Sequence, residues 1–124
     1  MKVIIAGAGS VGMSIAKELV QSGHDITIID RHPSAMKVAS VPEAEWQLDD
    51  ACELTSLQRA NLDEADVIVA TTGDDKVNLV VSLLAKTEFG VERVIARVNN
   101  PKNEWLFDES WGVDVAVSTP RVIA

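Results

Sequence analysis

The feature that most constrains this chain is a glycine-rich turn, Gly7–Gly12 (GAGSVG), which follows an apolar run and opens a helical pattern. Gly7 permits a tight exit from a strand, Gly9 lets the backbone approach a pyrophosphate because it has no Cβ, and Gly12 lets the helix pack closely on the sheet. The N–H groups at the start of the helix point at the phosphates, and the helix dipole favours their charge. The turn therefore predicts a phosphate-binding loop. The alternative is a strand–helix turn without a ligand.

An acidic residue stands at the end of the next apolar run. Asp30 closes the run Asp25–Asp30, about twenty residues after the glycine turn. Its carboxylate is expected to accept hydrogen bonds from the 2′- and 3′-hydroxyls of a ribose, and it disfavours NADP because a 2′-phosphate would meet like charge. A solvated acid at a strand end is the alternative. Arg31 slightly weakens the exclusion of NADP, and it lies either over an adenine or in solvent.

Strand-like and helix-like runs alternate along the whole chain. Strands are predicted at Lys2–Ala6, Asp25–Asp30, Glu45–Leu48, Asp66–Thr71, Arg93–Val98 and Val113–Val117. Helices are predicted at Val11–Ser22, Pro33–Ala39, Asp50–Ala60, Asp74–Phe89 and from Pro101 to about Ser110. The first and fourth strands are nearly all apolar, as expected for central strands covered on both faces. Six strands separated by helices predict an α/β fold of the Rossmann type, with a doubly wound parallel sheet.

Composition narrows the class of protein further. A chain of 124 residues is enough for one domain with its own core. Its lone cysteine, Cys52, excludes an internal disulfide, and no apolar run approaches the ~18–20 residues that span a bilayer. We therefore expect a cytoplasmic protein without direct membrane insertion. The formal net charge of −8 repels nucleic acid. Attraction for a phosphate must therefore come from the local geometry of the glycine turn.

The last residues carry a signal of their own. Ser118-Thr119-Pro120 is typical of a helix start, with proline at the first helical position. Only four residues follow, and so short a helix is not stable alone. We therefore expect residues 1–118 to form the nucleotide-binding domain. Residues 119–124 are expected to be the truncated start of a further helix that belongs to a longer protein.

Several stretches together resemble the N-terminal half of the domain family called KTN, RCK or TrkA-N, which regulates potassium conductance. They are GAGSVG at 7–12, Asp30, Asp50-Ala51, ATTGDDKVNL at 70–79 and IARVNNP at 95–101. The similarity is strongest to the peripheral NAD-binding subunits of bacterial Trk-type potassium uptake systems. It implies strand order 3-2-1-4-5-6 followed by a crossover helix, and a ligand that is NAD(H) or, alternatively, ATP or ADP. It also implies a membrane-embedded potassium transporter subunit as partner, at the inner face of the plasma membrane.

The resemblance also assigns residues at the ligand. It implies that Asp50 meets the adenine edge, beside Ala51, and that Thr71–Gly73 lines the ligand near the fourth strand. One position departs from the family pattern, because Asp49 stands where the family usually has glycine. The adenine contact of Asp50 therefore has an alternative, a helix cap.

Other residues that suggest chemistry have simpler explanations. His24 is expected in a surface turn, and His32 either touches the ligand or is a solvated loop histidine. Cys52 is expected to be a small packed residue, since no histidine base is evident beside it. Asp74 and Asp75 open a helix, where capping and the helix dipole explain them. No catalytic residue and no metal site are predicted.

Arg97 shares a strand face with Ile95 and Asn99 near the carboxyl end of the fifth strand. A buried charge is costly unless it is paired, so Arg97 needs a ligand phosphate, a neighbouring subunit or an internal acid. These three options remain open. The predicted cofactor-binding residues are Gly7, Ala8, Gly9, Ser10, Val11, Gly12, Asp30, Arg31, Asp50, Ala51, Thr71, Thr72, Gly73 and Arg97.

Two functions compete for this site. The first is a non-catalytic nucleotide sensor that gates a potassium uptake transporter or channel. The second is the cofactor domain of an NAD-dependent dehydrogenase. A dehydrogenase needs a substrate site, normally on another domain, and no histidine or lysine is evidently placed for acid–base chemistry. The stretch 66–101 favours the sensor.

Self-association is expected through the helices predicted at 74–89 and 101–110. The apolar residues of the first wrap more than half of its circumference, so the sheet cannot cover them all. The second adds Trp105, Leu106 and Phe107, with Trp111 just after it. Clustered apolar and aromatic residues of this kind mark an interface. The alternative is that the two helices bury each other.

Overall fold

Six parallel strands form the single sheet of the protein, which we describe for residues 1–118 in a computed structural model. The strand order is β3-β2-β1-β4-β5-β6, so the predicted Rossmann-type doubly wound sheet and its order 3-2-1-4-5-6 are confirmed. The strands are β1 Lys2–Ala6, β2 Asp25–Asp30, β3 Glu45–Leu48, β4 Val67–Ala70, β5 Arg93–Val98 and β6 Val115–Ser118. The last strand begins two residues later than predicted, because the N–H of Val113 is bonded to the carbonyl of Asp108 in the preceding turn. The helix start predicted at Thr119-Pro120 lies outside the described residues.

Three α-helices connect these strands: α1 Ser10–Gln21, α2 Leu54–Arg59 and α3 Asp75–Glu88. The predictions for α1 and α3 are confirmed, but the helix predicted at 50–60 is wrong in its first half. There the side chain of Asp50 accepts the backbone N–H of Cys52, and the carbonyl of Asp50 accepts that of Glu53. Glu53 then has an extended backbone (φ −97°, ψ 132°), which interrupts a helix at this point, so α2 begins only at Leu54.

Two further helix predictions are wrong in kind. Where a helix is predicted at Pro33–Ala39, the chain forms two short 3₁₀ turns, at Pro33–Ala35 and Val38–Ser40. The helix predicted from 101 to 110 is divided into the 3₁₀ segments Pro101–Leu106 and Glu109–Trp111. The division falls at Phe107 and Asp108: the Phe107 side chain turns into the core, and the Asp108 carboxylate accepts the N–H of Ser110 and restarts the chain.

The core lies on both faces of the sheet. Neighbouring residues of β1 belong to opposite clusters, since Ile4 packs with the residues beneath α2 and α3 and Ile5 packs with those beneath α1. Both side chains are fully buried. This two-sided burial explains why the central strands are continuous apolar runs. It also fixes the carboxyl ends of β1, β2 and β4 side by side.

The outer strands are covered less completely. Val115 and Val117 of β6 are 40% and 51% exposed. Val117 borders a small apolar cavity of about 190 Å³ on the α1 side of the sheet, together with Val11, Ile15 and Ile95. No helix among residues 1–118 is long and apolar enough to cross a membrane.

Candidate functional site

A cavity of about 670 Å³ opens at the carboxyl edge of the sheet, where β1, β2 and β4 end side by side. Its volume is in the range of small-molecule and cofactor sites. The predicted site residues that line it are Gly7, Gly9, Ser10, Asp30, Arg31, Asp50, Ala51, Thr71, Thr72, Gly73 and Arg97. Residues far apart in the sequence therefore meet around one cavity, as ligand sites in doubly wound sheets do.

The remaining three predicted residues, Ala8, Val11 and Gly12, do not line the cavity. Ala8 is buried, and its N–H is bonded to Asp30. Val11 borders the smaller apolar cavity instead. Gly12 packs directly on the carbonyl of Gly7. These residues shape the glycine turn from behind it, and their contact with a ligand stays a prediction.

The three glycines of the turn meet different surroundings. Gly7 has φ +115°, a conformation that side chains rarely adopt, and a Cβ there would lie 3.0 Å from the Thr72 nitrogen. A Cβ on Gly12 would lie 2.9 Å from Thr71 Oγ1 and would overlap the carbonyl oxygen of Gly7. A Cβ on Gly9 would meet no atom within 4 Å. Two glycines are thus required by packing, while the third faces open space.

The amino end of α1 faces the same space. Gly9 is the N-cap residue of α1 and provides no side-chain acceptor for the first N–H groups of the helix. Such groups have no partner within the helix and attract anions. The end of α1 can therefore accept a phosphate beside Gly9 and Ser10.

Asp30 is held in place by its neighbours. Its carboxylate accepts the N–H of Ala8 at 2.8 Å and that of His32 at 2.9 Å, and His32 Nδ1 lies 3.2 Å away. Burial alone would raise the pKa of Asp30, but the hydrogen bonds from Ala8 and His32 outweigh it and keep the pKa below its usual value. The carboxylate is therefore ionised at neutral pH, and it fixes the glycine turn from the end of β2.

The far end of the cavity is built by the residues that follow β3. Asp49, the position that departs from the family pattern, forms a two-point ion pair with Arg59 of α2 at 2.8 and 3.0 Å. It also accepts a hydrogen bond from Gln47. Asp50 lines the cavity and at the same time closes a turn through the N–H of Cys52. Asp50 therefore closes a turn and does not cap α2, which begins at Leu54, while its contact with an adenine stays a prediction.

Cys52 also lines the cavity, which the sequence did not suggest. Burial, followed by the negative charge of Asp50, raises its pKa to about 11. The thiol is therefore protonated at neutral pH, which disfavours a role as a nucleophile.

The wall formed by Thr72 belongs to a polar cluster that sequence reasoning missed. Asn78, which is fully buried, accepts the N–H of Thr72 at 3.0 Å and donates to the carbonyls of Thr72 and Arg97. Asp74 caps α3 through the N–H of Lys76, as predicted. Asp75 does more than cap a helix.

The carboxylate of Asp75 is buried and accepts hydrogen bonds from Asn99, Asn100 and Asn103. Burial raises its pKa, but these hydrogen bonds outweigh the effect and hold the pKa below its usual value. The capping explanation for Asp75 was therefore incomplete, because its partners lie after β5. No sequence period connects residues 75 and 103, so only the fold reveals the cluster.

Other cavity residues were also outside the prediction. His32 lines the cavity and its side chain is largely exposed, so its contact with a ligand stays a prediction. Ile29, Ser34, Ala35, Asp74 and Val77 line it as well. Ser34 and Ala35 belong to the 3₁₀ turn after β2, whose path the sequence did not define. Among the described residues, no group of histidine, cysteine and acidic side chains has the arrangement of a metal site.

The sequence pattern of the TrkA-N domain matches residues 3–119. The Trk system potassium uptake protein TrkA of Mycobacterium tuberculosis is 64% identical over 124 residues. That alignment covers 100% of this chain and 56% of the relative, so the chain spans about half the length of the curated relatives it matches.

Solved structures agree with this relationship. The GsuK channel bound to NAD is 29% identical with a TM-score of 0.79, over 94% of this chain and 20% of that one. GsuK bound to ADP has the same identity and TM-score, over 94% of this chain and 30% of that one. The same fold therefore occurs in proteins crystallised with adenine nucleotides.

Proposed function

Because the chain belongs to the TrkA-N domain family, we propose that it is the regulatory nucleotide-binding part of a Trk-type potassium uptake system. The observation that carries the proposal is the cavity beside Gly9, which combines an uncapped helix end with the ionised carboxylate of Asp30. Neutral N–H groups at one end and a ribose acceptor at the other suit an adenine nucleotide. The expected ligand is NAD(H), with ATP or ADP as alternatives.

Each part of the cavity has a role in this proposal. The N–H groups of Gly9 and Ser10 hold the pyrophosphate, and Asp30 accepts the ribose hydroxyls. Asp50 and Ala51 border the adenine. Thr71–Gly73 and Arg97 line the ligand on the side of β4 and β5. Arg31 and His32 close the rim beside the ribose.

The partner in this proposal is a membrane-embedded potassium transporter subunit at the inner face of the plasma membrane. The names of the relatives support it, since they are potassium uptake proteins. Nucleotide binding would then gate transport, and no catalysis is proposed. The match to the TrkA-N domain and the identity to a potassium uptake protein favour a sensor over a dehydrogenase.

The ligand assignment is tested by calorimetric titration with NADH, NAD, ATP, ADP and NADPH. We expect NADPH to bind more weakly than NADH, because its 2′-phosphate meets the Asp30 carboxylate. Asp30→Ala should weaken NADH binding by about 1–3 kcal/mol, since hydrogen bonds to a charged acceptor are lost. The loss of affinity should lie at the upper end of this range, because the same substitution also removes the acceptor of the Ala8 N–H in the glycine turn.

Asp25→Ala is the matched control, since Asp25 is exposed at the opposite end of β2. Equal affinity of the wild-type protein for NADH and NADPH would contradict the role of Asp30. Steady NADH consumption with an oxo-acid or aldehyde, in proportion to the amount of protein, would instead support the dehydrogenase.

We also propose self-association through α3 and the segment 101–111. Val80 and Leu83 of α3 are half-buried and lie outside the residues that pack on the core, whereas Leu84 packs on it. Trp105 is 76% exposed, while Phe107 is buried. The two predicted helices thus bury each other in part and leave an apolar surface. A second copy of the chain covers this surface in our proposal.

Leu83→Glu is therefore expected to shift the wild-type dimer to monomer at micromolar concentration, because it would bury an unpaired charge. Sedimentation velocity measures the change. Val38→Glu is the control, since Val38 is also an exposed apolar residue (47%) but lies after β2. A wild-type chain that sediments as a monomer would show that this surface does not pair.

A further inference from the structure

The cavity wall at Thr72 is held by side chains rather than by the sheet. The side chain of Asn78 accepts hydrogen bonds from the N–H and the hydroxyl of Thr72, and it donates one to the carbonyl of Thr72. Asn99 Nδ2 donates to the same carbonyl at 2.9 Å. Thr72 lies one residue beyond the last β4-to-β1 backbone hydrogen bond, which is donated by Thr71. The position of this wall is therefore set by the two asparagines.

Asn99 extends the connection to a second segment. Its side chain also donates to Asp75 Oδ1 at 3.1 Å, and its backbone N–H donates there at 2.7 Å. The other oxygen of Asp75 accepts from the Asn100 N–H and from Asn103 Nδ2, each at 2.9 Å. Both oxygens are saturated by neutral donors, so a buried carboxylate is stabilised without a cation.

These contacts form one chain of hydrogen bonds, which we call the asparagine relay: Thr72 carbonyl, Asn99, Asp75 and Asn103. One end is the cavity wall, and the other is the 3₁₀ segment Pro101–Leu106. A helix cap requires only one acceptor, and Asp74 already provides it for α3. The asparagine relay thus exceeds what the start of α3 needs.

We infer that Asn99 and Asp75 are positioning residues of the nucleotide site, and that they transmit the position of the Thr72 wall to the segment that carries Trp105. The inference rests on the proposed function, since it requires a nucleotide against Thr72. A ligand that displaces the Thr72 carbonyl must move Asn99 or break its hydrogen bond. Asp75, saturated on both sides, passes this displacement to Asn103. The only requirement on the ligand is that it binds between Gly9 and Thr72 and contacts Thr72.

Trp105 provides the readout, because it is 76% exposed and lies two residues after Asn103. Its emission is excited at the red edge of tryptophan absorption and titrated with ADP, which does not absorb there. The contribution of Trp105 is the difference between each protein and its Trp105→Phe counterpart. Calorimetry under the same conditions gives the affinity for ADP independently.

We expect saturating ADP to change the Trp105 emission of the wild-type protein. Asn103→Ala and Asn99→Ala should each lose most of this amplitude at saturation, even where the affinity also changes. The double variant should lose no more than either single variant, because all three interrupt one relay. Lys102→Ala, an exposed neighbour whose side chain is outside the relay, should keep the full amplitude.

The possible outcomes separate the two proposals. Absence of ADP and NADH binding in the calorimeter would refute the proposed function itself. Binding with an unchanged Trp105 emission, or a full amplitude in Asn103→Ala, would overturn the relay and leave the proposed function intact. If the relay only holds the fold, Asn103→Ala lowers the melting temperature and keeps the amplitude. Additive losses in the double variant would likewise contradict a single connected path.

Discussion

Gly9→Val is expected to weaken nucleotide binding severely while the fold persists. The backbone at Gly9 is extended, with φ −71° and ψ −174°, so a branched residue is tolerated there. Its side chain would project into open space at the cavity, which is the space that we assign to the pyrophosphate. We expect an affinity loss of about 100-fold or more, equivalent to about 2.7 kcal/mol. Calorimetric titration with NADH and ADP measures it.

Ser14→Val is the matched control, because it adds a similar side chain on the exposed surface of α1. Both variants should melt within a few degrees of the wild-type protein, since valine costs only about 1 kcal/mol at a cap or in a helix. Unchanged affinity in Gly9→Val would remove the glycine turn from the ligand site. Loss of affinity in both variants would point to α1 as a whole.

Gly12→Ala should have the opposite effect and damage the fold. Alanine normally stabilises the interior of a helix relative to glycine, by about 1 kcal/mol. Here its Cβ would fall inside the carbonyl of Gly7 and close to Thr71 Oγ1, and a backbone carbonyl cannot rotate away. The helix must shift from the sheet, so we expect the free energy of unfolding to fall by about 3 kcal/mol or more.

Urea denaturation of Gly12→Ala and Gly9→Ala makes the comparison sharp, because the chemical change is identical. Gly9→Ala should have a midpoint near that of the wild-type protein, since its Cβ meets nothing within 4 Å. A Gly12→Ala variant as stable as Gly9→Ala would show that the contact between α1 and the turn is looser than the structure indicates.

The sheet was predictable because its signals are local and redundant. The apolar runs at β1 and β4 indicated central strands, and the acid at Asp30 marked the end of β2 in the expected place. The sequence predicts α3 nearly to its ends, since Asp74 is a strong helix-start signal and Gly90 a strong helix-stop signal. Where a pattern repeats over a whole element, neighbouring residues support the same assignment.

The remainder depended on contacts between distant residues. Residues 101–110 have helix-forming composition, yet burial of Phe107 divides them into two 3₁₀ segments. The sequence predicts Asp50 at the start of a helix, but its side chain accepts the backbone N–H two residues further on and closes a turn there. The sequence predicts only a cap at Asp75, because its partners after β5 are 24 to 28 positions away. Local propensity does not record such competition between partners.

The contact of the glycine turn with the end of β4 has a consequence for biosynthesis. Gly7 lies against Thr71 and Thr72, and the N–H of Thr71 bonds to Ala6, across more than sixty positions of the chain. A ribosome therefore releases β1, α1 and β2 well before β4 is available to pack against the glycine turn. Until Thr71 emerges and pairs, the glycine turn is held from the side of β2 alone, by its hydrogen bonds to Ile29 and Asp30. Under the proposed function, nucleotide would therefore stabilise a nascent chain fully only after β4 has joined β1 and added the Thr72 wall.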